Sequence, residues 1–192
     1  MKFYDNKAFD MKLCGMDEAG RGPLAGPLVM AGVILKKPIS GLNDSKKLSE
    51  KMRETLFELI LTNAEYKIVH FSAEHIDTLG LSACLKKGLE EIMSFLHADD
   101  YLFDGNSKFG VSGLRTLVKA DALIPEVSAA SILAKVTRDR EMIEMDPLYP
   151  NYGFALHKGY GTCAHVQAIK EYGYCDIHRK SFKLKALQPS LF

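Results

Sequence analysis

The sequence predicts a single α/β domain in which helices cover a central sheet. Short apolar runs of strand character alternate along the chain with segments whose apolar residues recur at helical spacing. The length agrees, because 192 residues, 47% of them hydrophobic, suit one domain with a substantial core. No linker, internal repeat or low-complexity segment divides the chain.

Five segments are predicted to be strands, and four are predicted to be helices. The strands are 12–16, 28–35, 65–71, 101–103 and a run near 114–119, the first two being joined by a glycine-rich turn. The helices are 49–63, 80–96, 128–145 and 163–172. Ser49 is the predicted N-cap of the first helix.

The most informative segment is the acidic pair Asp17 and Glu18, which follows the first apolar run and leads into a turn that contains Gly20, Arg21 and Gly22. Successive strand residues point to opposite faces, so the two carboxylates diverge unless the backbone turns there, and the glycines predict that turn. Oxygen ligands at an irregular strand end suit Mg²⁺ or Mn²⁺. Taken alone, the pair is more typical of a solvated turn than of a metal site.

Two more apolar runs end in a carboxylate, at Asp104 and at Asp121. Ligands of open α/β sheets collect beyond the carboxyl ends of the strands, so these two residues are predicted to converge with Asp17 and Glu18. Four clustered carboxylates repel one another unless cations lie among them. The sequence therefore predicts a two-metal centre for phosphoester hydrolysis, with ions roughly 3.5–4 Å apart.

Residues 14–27 resemble the signature of the type 2 ribonuclease H family, in particular bacterial ribonuclease HII. Further blocks occur in the family's order over nearly the whole chain, at 43–49, 104–105, 119–121, 128–139, 157–162 and 178–182. The resemblance implies a ribonuclease H-like fold with a central five-stranded mixed sheet. It also implies a catalytic core at about 11–146 and a helical, substrate-binding C-terminal extension at about 147–186.

The resemblance also implies the activity. The enzyme would cleave the RNA strand of RNA–DNA hybrids and nick 5′ of single ribonucleotides in duplex DNA, leaving 3′-hydroxyl and 5′-phosphate ends. Asp17, Glu18, Asp104 and Asp121 match the catalytic residues of the family, which would bind two Mg²⁺ or Mn²⁺ ions. Without the resemblance, Asp121 is equally typical of a residue that caps nearby backbone.

Six residues match the family's substrate contacts. The turn of Gly20, Arg21 and Gly22 corresponds to the reader of the ribose 2′-hydroxyl, the group that distinguishes RNA from DNA. The others are Tyr160, which corresponds to the tyrosine at the junction of RNA and DNA, and the backbone-phosphate contacts Lys46 and Lys47. Without the resemblance, Tyr160 would be a half-buried loop aromatic and the lysines would be solvated.

The last five residues, 188–192, resemble the short peptide that docks on the bacterial sliding clamp. Gln188 would reach polar groups, while Leu191 and Phe192 would fill an apolar groove. The alternative is a C-terminus that folds back and buries Leu191 and Phe192.

The net charge of +1 gives little sign of nucleic-acid binding, but the C-terminal part is basic. A local basic surface can neutralise phosphates while the acidic site offsets the total. Its cations are Lys158, Lys170, Arg179, Lys180, Lys183 and Lys185.

No segment approaches the roughly 20 apolar residues that span a membrane, and Cys14 and Cys84 lie in apolar contexts typical of reduced, buried thiols. These features predict a soluble, cytoplasmic protein.

Three alternatives remain. The first is a zinc site formed by Cys163, His165, Cys175 and His178, whose spacing matches no common structural zinc pattern. The second is the related ribonuclease HIII, which carries an additional N-terminal domain for which there is little room before Asp17. The third is a nucleic-acid or clamp-binding module on an inactive nuclease fold, against which the four intact carboxylates argue.

Overall fold

The computed structural model describes residues 11–182, which contain a mixed five-stranded sheet. The strands are β1 (Leu13–Ala19), β2 (Leu28–Leu35), β3 (Ala64–Phe71), β4 (Asp100–Asp104) and β5 (Leu114–Leu117). Their order in the sheet is β3-β2-β1-β4-β5; β1 pairs antiparallel with β2 and β2 with β3, whereas β1, β4 and β5 run parallel. The predicted five-stranded mixed sheet is confirmed. The proposed clamp-binding residues 188–192 lie outside the described residues.

Six helices accompany the sheet in the described part of the chain. They are α1 (Glu50–Asn63), α2 (Ala73–Leu79), α3 (Leu81–Phe95), α4 (Pro125–Met145), α5 (Phe154–His157) and α6 (Cys163–Tyr172). Ser49 caps α1 as predicted, because its side chain accepts a hydrogen bond from the Met52 amide at 3.2 Å. The helix predicted from residue 128 begins at Pro125 instead, where proline supplies the preset φ of a first helical position.

The predicted end of the first strand is wrong. β1 continues past residue 16, so that Asp17 and Glu18 pair with Ala31 and Met30 of β2. The antiparallel ladder holds the backbone extended through Ala19, and the chain turns only at Gly20, where φ is 101°. The two carboxylates therefore belong to a regular strand and leave it in different directions.

The last strand also ends earlier than predicted. β5 stops at Leu117, and Lys119 adopts the left-handed conformation with φ of 61°. A 3-10 turn, Ala120–Ala122, follows and carries Asp121. Asp121 thus enters the site from a turn beyond the strand, not from the strand end itself.

Apolar side chains cover both faces of the sheet. On one face, Cys14, Met16 and Met30 pack in a core cluster with residues of α3, including the buried Cys84. On the other face, β2 packs against α1 and α4. The close approach of α4 to β1 depends on Gly15, because a Cβ atom there would lie 2.3 Å from the Val127 nitrogen. This contact fixes the start of α4 beside Asp17.

The C-terminal extension packs on the end of α4 and on the loop after the glycine-rich turn. Phe154 and Ile169, from α5 and α6, share a buried cluster with Met142 of α4. The Gly26 amide donates to the Ile177 carbonyl at 2.8 Å, and Ala25 forms an isolated bridge with His178. No helix among residues 11–182 is long and apolar enough to cross a membrane.

Candidate active site

Three aspartates meet where the parallel strands end. One carboxylate oxygen from each of Asp17, Asp104 and Asp121 lies within 4.8 Å of the other two. Asp17 and Asp121 are buried, and Asp104 is partly exposed. Since β1, β4 and β5 are parallel, their carboxyl ends share one side of the sheet, and distant parts of the chain deliver a carboxylate to the same place.

Local hydrogen bonds position two of these aspartates. Asp104 ends β4, and its Oδ1 atom accepts a hydrogen bond from the Ala120 amide at 2.7 Å. This bond ties the strand to the turn that carries Asp121. The Ser128 hydroxyl, in the first turns of α4, donates to the main-chain carbonyl of Asp121. The turn is therefore held from both sides.

Glu18 lies outside this close group of three. Its Oε1 atom accepts a hydrogen bond from the Arg21 guanidinium at 3.2 Å, across the start of the turn. Its Oε2 atom is buried without a hydrogen-bond partner in the described part of the protein. The structure thus brings together three of the four predicted carboxylates and places Glu18 beside them, paired with Arg21.

Burial raises the pKa of three carboxyl groups at this site, those of Asp17, Glu18 and Asp121. Burial and then the negative charge of Glu18 raise the pKa of Asp17 well above its ordinary value. Burial, followed by the negative charges of Asp104 and Asp44, raises the pKa of Asp121. Burial raises the pKa of Glu18 to about 7, against the opposing charge of Arg21. The site therefore contains more buried negative charge than its own cations balance.

The donor set fits a divalent cation. Three converging carboxylates supply the hard oxygen ligands that Mg²⁺ and Mn²⁺ prefer, and the unpartnered Oε2 atom of Glu18 offers another oxygen nearby. A bound cation would favour the ionised carboxylates, against the burial and the mutual repulsion that raise the pKa values of Asp17 and Asp121. Asp17, Asp104 and Asp121 are the residues that would hold it.

The stability of the metal-free protein is expected to fall as the pH rises through the titration of Glu18. Its pKa in the folded protein, about 7, exceeds the ordinary value of 4.5. Its contribution is therefore fully present below about pH 4.5 and is lost as the pH rises through about 7, a difference on the order of 3 kcal/mol. Asp17 and Asp121 act in the same direction. Thermal unfolding in EDTA at about pH 5 and about pH 8 measures the effect.

Two controls separate this effect from an unrelated stabilisation of the whole protein at low pH. Mg²⁺ is expected to raise the unfolding temperature more at about pH 8 than at about pH 5, because ionised carboxylates bind it. The Glu18→Gln variant should show a shallower dependence of stability on pH. An identical pH slope in that variant would contradict the assignment.

A cleft of about 340 Å³ opens beside the acidic site, and most of the residues predicted to contact the substrate line it. Its walls come from the end of β1, the glycine-rich turn, the loop before α1, the middle of α4 and the loop before α6. The lining residues are Glu18, Ala19, Gly20, Arg21, Gly22, Ser45, Lys46, Ser131, Lys135 and Tyr160. Lys47 does not line the cleft; its side chain is exposed, with Nζ 3.9 Å from Asp44 Oδ2.

The two glycines of the turn differ in what they permit. A Cβ atom on Gly20 would lie 2.4 Å from the Pro27 carbonyl oxygen and from Arg138 Nε, at a positive φ. A Cβ atom on Gly22 would meet nothing within 4 Å, and Gly22 faces the cleft. Gly20 is therefore required by the fold, whereas Gly22 leaves open space for a ligand.

Two buried arginines brace the loop that follows the turn, and sequence reasoning missed this role. Arg138 donates from Nε to the Pro27 carbonyl at 2.9 Å and from Nη2 to the Ala25 carbonyl at 3.1 Å. Arg179 donates to the carbonyls of Gly26 and Pro27, each at 2.9 Å. Arg179 is fully buried, so it does not belong to the predicted basic surface. Burial lowers its pKa to about 9.

Sequence reasoning also gave no role to Asp44, Ser131 or Lys135. Asp44 lies near Asp121, Ser131 contacts Asp17 from α4, and the Ser131 hydroxyl is 2.9 Å from that of Ser45. These residues lie in the blocks 43–49 and 128–139, which are among those that carried the family resemblance. Their membership of these blocks was the signal that could have pointed to them.

The cysteines and histidines proposed as zinc ligands do not surround a common point. Cys163 is exposed at the start of α6. His165 and His178 are in direct contact, with their Nε2 atoms 3.0 Å apart. Within residues 11–182, the three aspartates form the one group of such side chains close enough to hold an ion.

Solved structures share this fold. A ribonuclease HII from Archaeoglobus fulgidus, solved in a complex with PCNA, superimposes with a TM-score of 0.79 at 29% identity over 94% of this chain and 98% of that chain. The ribonuclease H2 of Pyrococcus horikoshii gives 0.76 at 30% identity over 90% and 94%. Bst-RNase HIII in complex with Mn²⁺ shares the fold, with a TM-score of 0.65 at 18% identity over 85% and 63%. Fold and site define a metal-dependent nuclease of the ribonuclease H class.

Sequence comparisons specify the family. The family model described as Ribonuclease HII matches residues 14–185. A ribonuclease HII of Sulfurovum sp. is 65% identical over 94% of this chain and 96% of its own length, and one of Campylobacter hominis is 63% identical over 93% and 97%. The chain belongs to the ribonuclease HII family. The resemblance inferred from the motifs is thereby confirmed.

Proposed function

We propose that this enzyme hydrolyses the RNA strand of RNA–DNA hybrids and nicks duplex DNA on the 5′ side of a single ribonucleotide, leaving 3′-hydroxyl and 5′-phosphate ends. The observation that supports this most is the position of the three converging aspartates beside a cleft that the Gly20–Gly22 turn lines. The carboxylates and the turn that is proposed to read the sugar are thus adjacent. The sequence-based prediction of a cytoplasmic location is part of this proposal.

The carboxylates are proposed to hold two Mg²⁺ or Mn²⁺ ions, with Glu18 joining the three aspartates once cations are bound. Bound ions would supply charge stabilisation at the scissile phosphate and lower the pKa of an attacking water. The protein groups orient the substrate around them. Lys46, which lines the cleft, and the exposed Lys47 are proposed to contact backbone phosphates.

The ribose is proposed to lie against the turn that contains Gly22. The missing Cβ at Gly22 lets peptide groups approach a 2′-hydroxyl, and Arg21 is exposed enough to reach a phosphate. Glu18 holds the Arg21 guanidinium across the turn. The extension at about 147–186 is proposed to contribute substrate contacts through Tyr160.

Cleavage of a labelled DNA duplex containing one ribonucleotide, in Mg²⁺ or Mn²⁺, tests the proposal. Nicking immediately 5′ of the ribonucleotide is expected, with none in an all-DNA duplex. Binding of the duplex without cleavage under either metal would instead favour a binding module on an inactive nuclease fold.

The Tyr160→Ala variant is expected to lose about 10²-fold in kcat/KM on the single-ribonucleotide duplex and much less on a long hybrid. Tyr160 is 43% exposed and faces the cleft, where its ring can stack at the junction between ribose and deoxyribose. Steady-state cleavage of both substrates measures the ratio. Equal losses on both substrates would contradict a role in reading the junction.

The C-terminal residues 188–192 are proposed to bind a sliding clamp. The Archaeoglobus fulgidus relative was solved in a complex with PCNA, and this supports the proposal that the present chain also has a clamp partner. Deletion of residues 189–192 is expected to abolish clamp binding, measured by calorimetry, while leaving cleavage unchanged. Retained clamp affinity after the deletion would refute this proposal.

A further inference from the structure

A chain of two buried histidines links the C-terminal segment to the backbone of Tyr160. His165 Nδ1 lies 3.0 Å from the Tyr160 carbonyl oxygen, and its Nε2 lies 3.0 Å from His178 Nε2. The Nδ1 atom of His178 accepts a hydrogen bond from the Cys175 amide at 2.9 Å. Both imidazoles are almost entirely buried. Their ring nitrogens therefore form one continuous path of hydrogen bonds.

The direction of every bond in this path follows from its two ends. The Cys175 amide can only donate, so His178 Nδ1 accepts and His178 Nε2 carries the proton that it gives to His165 Nε2. His165 then carries its own proton on Nδ1 and donates it to the Tyr160 carbonyl. Each neutral imidazole uses its single donor and single acceptor. Burial lowers the pKa of His178 to about 4 and lowers that of His165, which keeps the rings neutral near pH 7.

The same path reaches the start of the loop between the glycine-rich turn and β2. His178 bridges to Ala25 in the loop that follows this turn, and the Leu24 amide donates to the Gly159 carbonyl at 2.8 Å. The approach is tight, because a Cβ atom on Gly159 would lie 2.3 Å from the Ala25 carbonyl oxygen. The loop with Tyr160, the segment with His178 and the loop after the turn are thus packed as one unit.

The ring of Tyr160 has looser support than its backbone. Arg138 and Lys135 lie over it, with the guanidinium carbon and Nζ at 5.6 and 5.9 Å from the ring centroid. Two donors, by contrast, fix the Tyr160 carbonyl: His165 and the Thr162 amide, the latter at 2.8 Å. The backbone bonds therefore determine where the ring enters the cleft.

We propose that His165 and His178 are positioning residues that hold Tyr160 at the angle needed to read the junction between ribonucleotide and deoxyribonucleotide. This inference rests on the proposed function of Tyr160 as the junction reader. Neither histidine lines the cleft beside the aspartates. Their effect on cleavage passes through the Tyr160 loop.

Amide hydrogen exchange tests the positioning without any substrate. In His165→Leu, exchange of the Tyr160 and Thr162 amides is expected to accelerate about tenfold, the scale of one lost hydrogen bond. The His165→Asn variant should restore exchange to within about threefold of wild type, because the asparagine amide can donate in place of Nδ1. Amides of β1 should be unchanged in both variants. His97→Asn, at an exposed histidine after α3, is the matched control.

Cleavage of the single-ribonucleotide duplex and of a long hybrid tests the role in substrate reading. His165→Leu is expected to raise KM for the duplex about tenfold and to change the hybrid reaction less, with recovery in His165→Asn. In a Tyr160→Ala background, His165→Leu should cause no further loss, because it acts through that side chain. A general structural defect would slow both substrates alike and add to the loss in the Tyr160→Ala background.

The outcomes separate the inference from the function on which it rests. Normal wild-type cleavage with unchanged exchange in His165→Leu, or with additive losses in the double variant, would refute the positioning role alone. Absence of cleavage by the wild type would refute the proposed function and the junction-reading role together. Faster exchange, rescue by asparagine and non-additive losses would establish the positioning role.

Discussion

Replacing Asp104 with asparagine is expected to lower turnover by at least about 10³-fold while leaving the fold and duplex binding intact. The loss follows from removing one of three converging carboxylates, because metal ions in such sites supply several kcal/mol of charge stabilisation in the transition state. Single-turnover cleavage of a duplex with one ribonucleotide measures the rate. Gel-shift binding of the same duplex measures affinity.

The asparagine variant is a fair test because the local structure tolerates it. Asp104 Oδ1 accepts the Ala120 amide hydrogen bond, and an asparagine oxygen can accept the same bond. The turn that carries Asp121 therefore stays in place. Asp100→Asn, at the opposite end of β4, makes the same chemical change in an ion pair with Arg115 on the protein surface. That control is expected to cleave at nearly the wild-type rate.

Turnover above about a tenth of wild type in the Asp104 variant would contradict the assignment of the metal site. Loss of duplex binding in parallel with turnover would instead indicate a role in substrate affinity. The two measurements together therefore distinguish a chemical role from a binding role.

The convergence of Asp17, Asp104 and Asp121 could be predicted because it depends on local patterns and one general rule. Each aspartate follows or ends an apolar run, and the carboxyl ends of parallel strands share one side of a sheet. The position of Glu18 could not be predicted in this way. Its direction is set by the ladder between β1 and β2, which continues through Ala19 and depends on tertiary pairing.

The buried arginines and histidine that support the site could not be predicted from the sequence, for a different physical reason. Arginine is mostly exposed in proteins and histidine is intermediate, so nothing in the local pattern marks Arg138, Arg179 or His178 as buried. Their partners are backbone carbonyls and another imidazole, and the carbonyl acceptors of Arg138 lie more than 100 residues away along the chain. The short helices α2 and α5 were missed because seven and four residues are too few to show periodicity.

Gly22→Ala is expected to reduce kcat/KM on ribonucleotide-containing duplexes by about 10²-fold without lowering the unfolding temperature. The protein has space for the added methyl group, since nothing lies within 4 Å of that position. A sugar seated against the turn would not have that space, and a displacement of about 1 Å at a reacting centre costs rate on this scale. Steady-state cleavage and thermal unfolding, measured on the same preparation, check both halves of the prediction.

Two other glycines make the result interpretable. Gly20→Ala forces a Cβ atom to 2.4 Å from the Pro27 carbonyl oxygen at a positive φ, so it is expected to lower the unfolding temperature as well as activity. Gly173→Ala, after α6 and outside the cleft, adds a methyl group in open space at a positive φ and should cost a little stability without loss of cleavage.

A Gly22→Ala enzyme that cleaves normally would mean that the ribose does not approach this turn, and the 2′-hydroxyl would then have to be read from another wall of the cleft. Loss of cleavage with an unchanged unfolding temperature has no explanation within the free protein, because the methyl group touches nothing there, and it would place the substrate itself at Gly22.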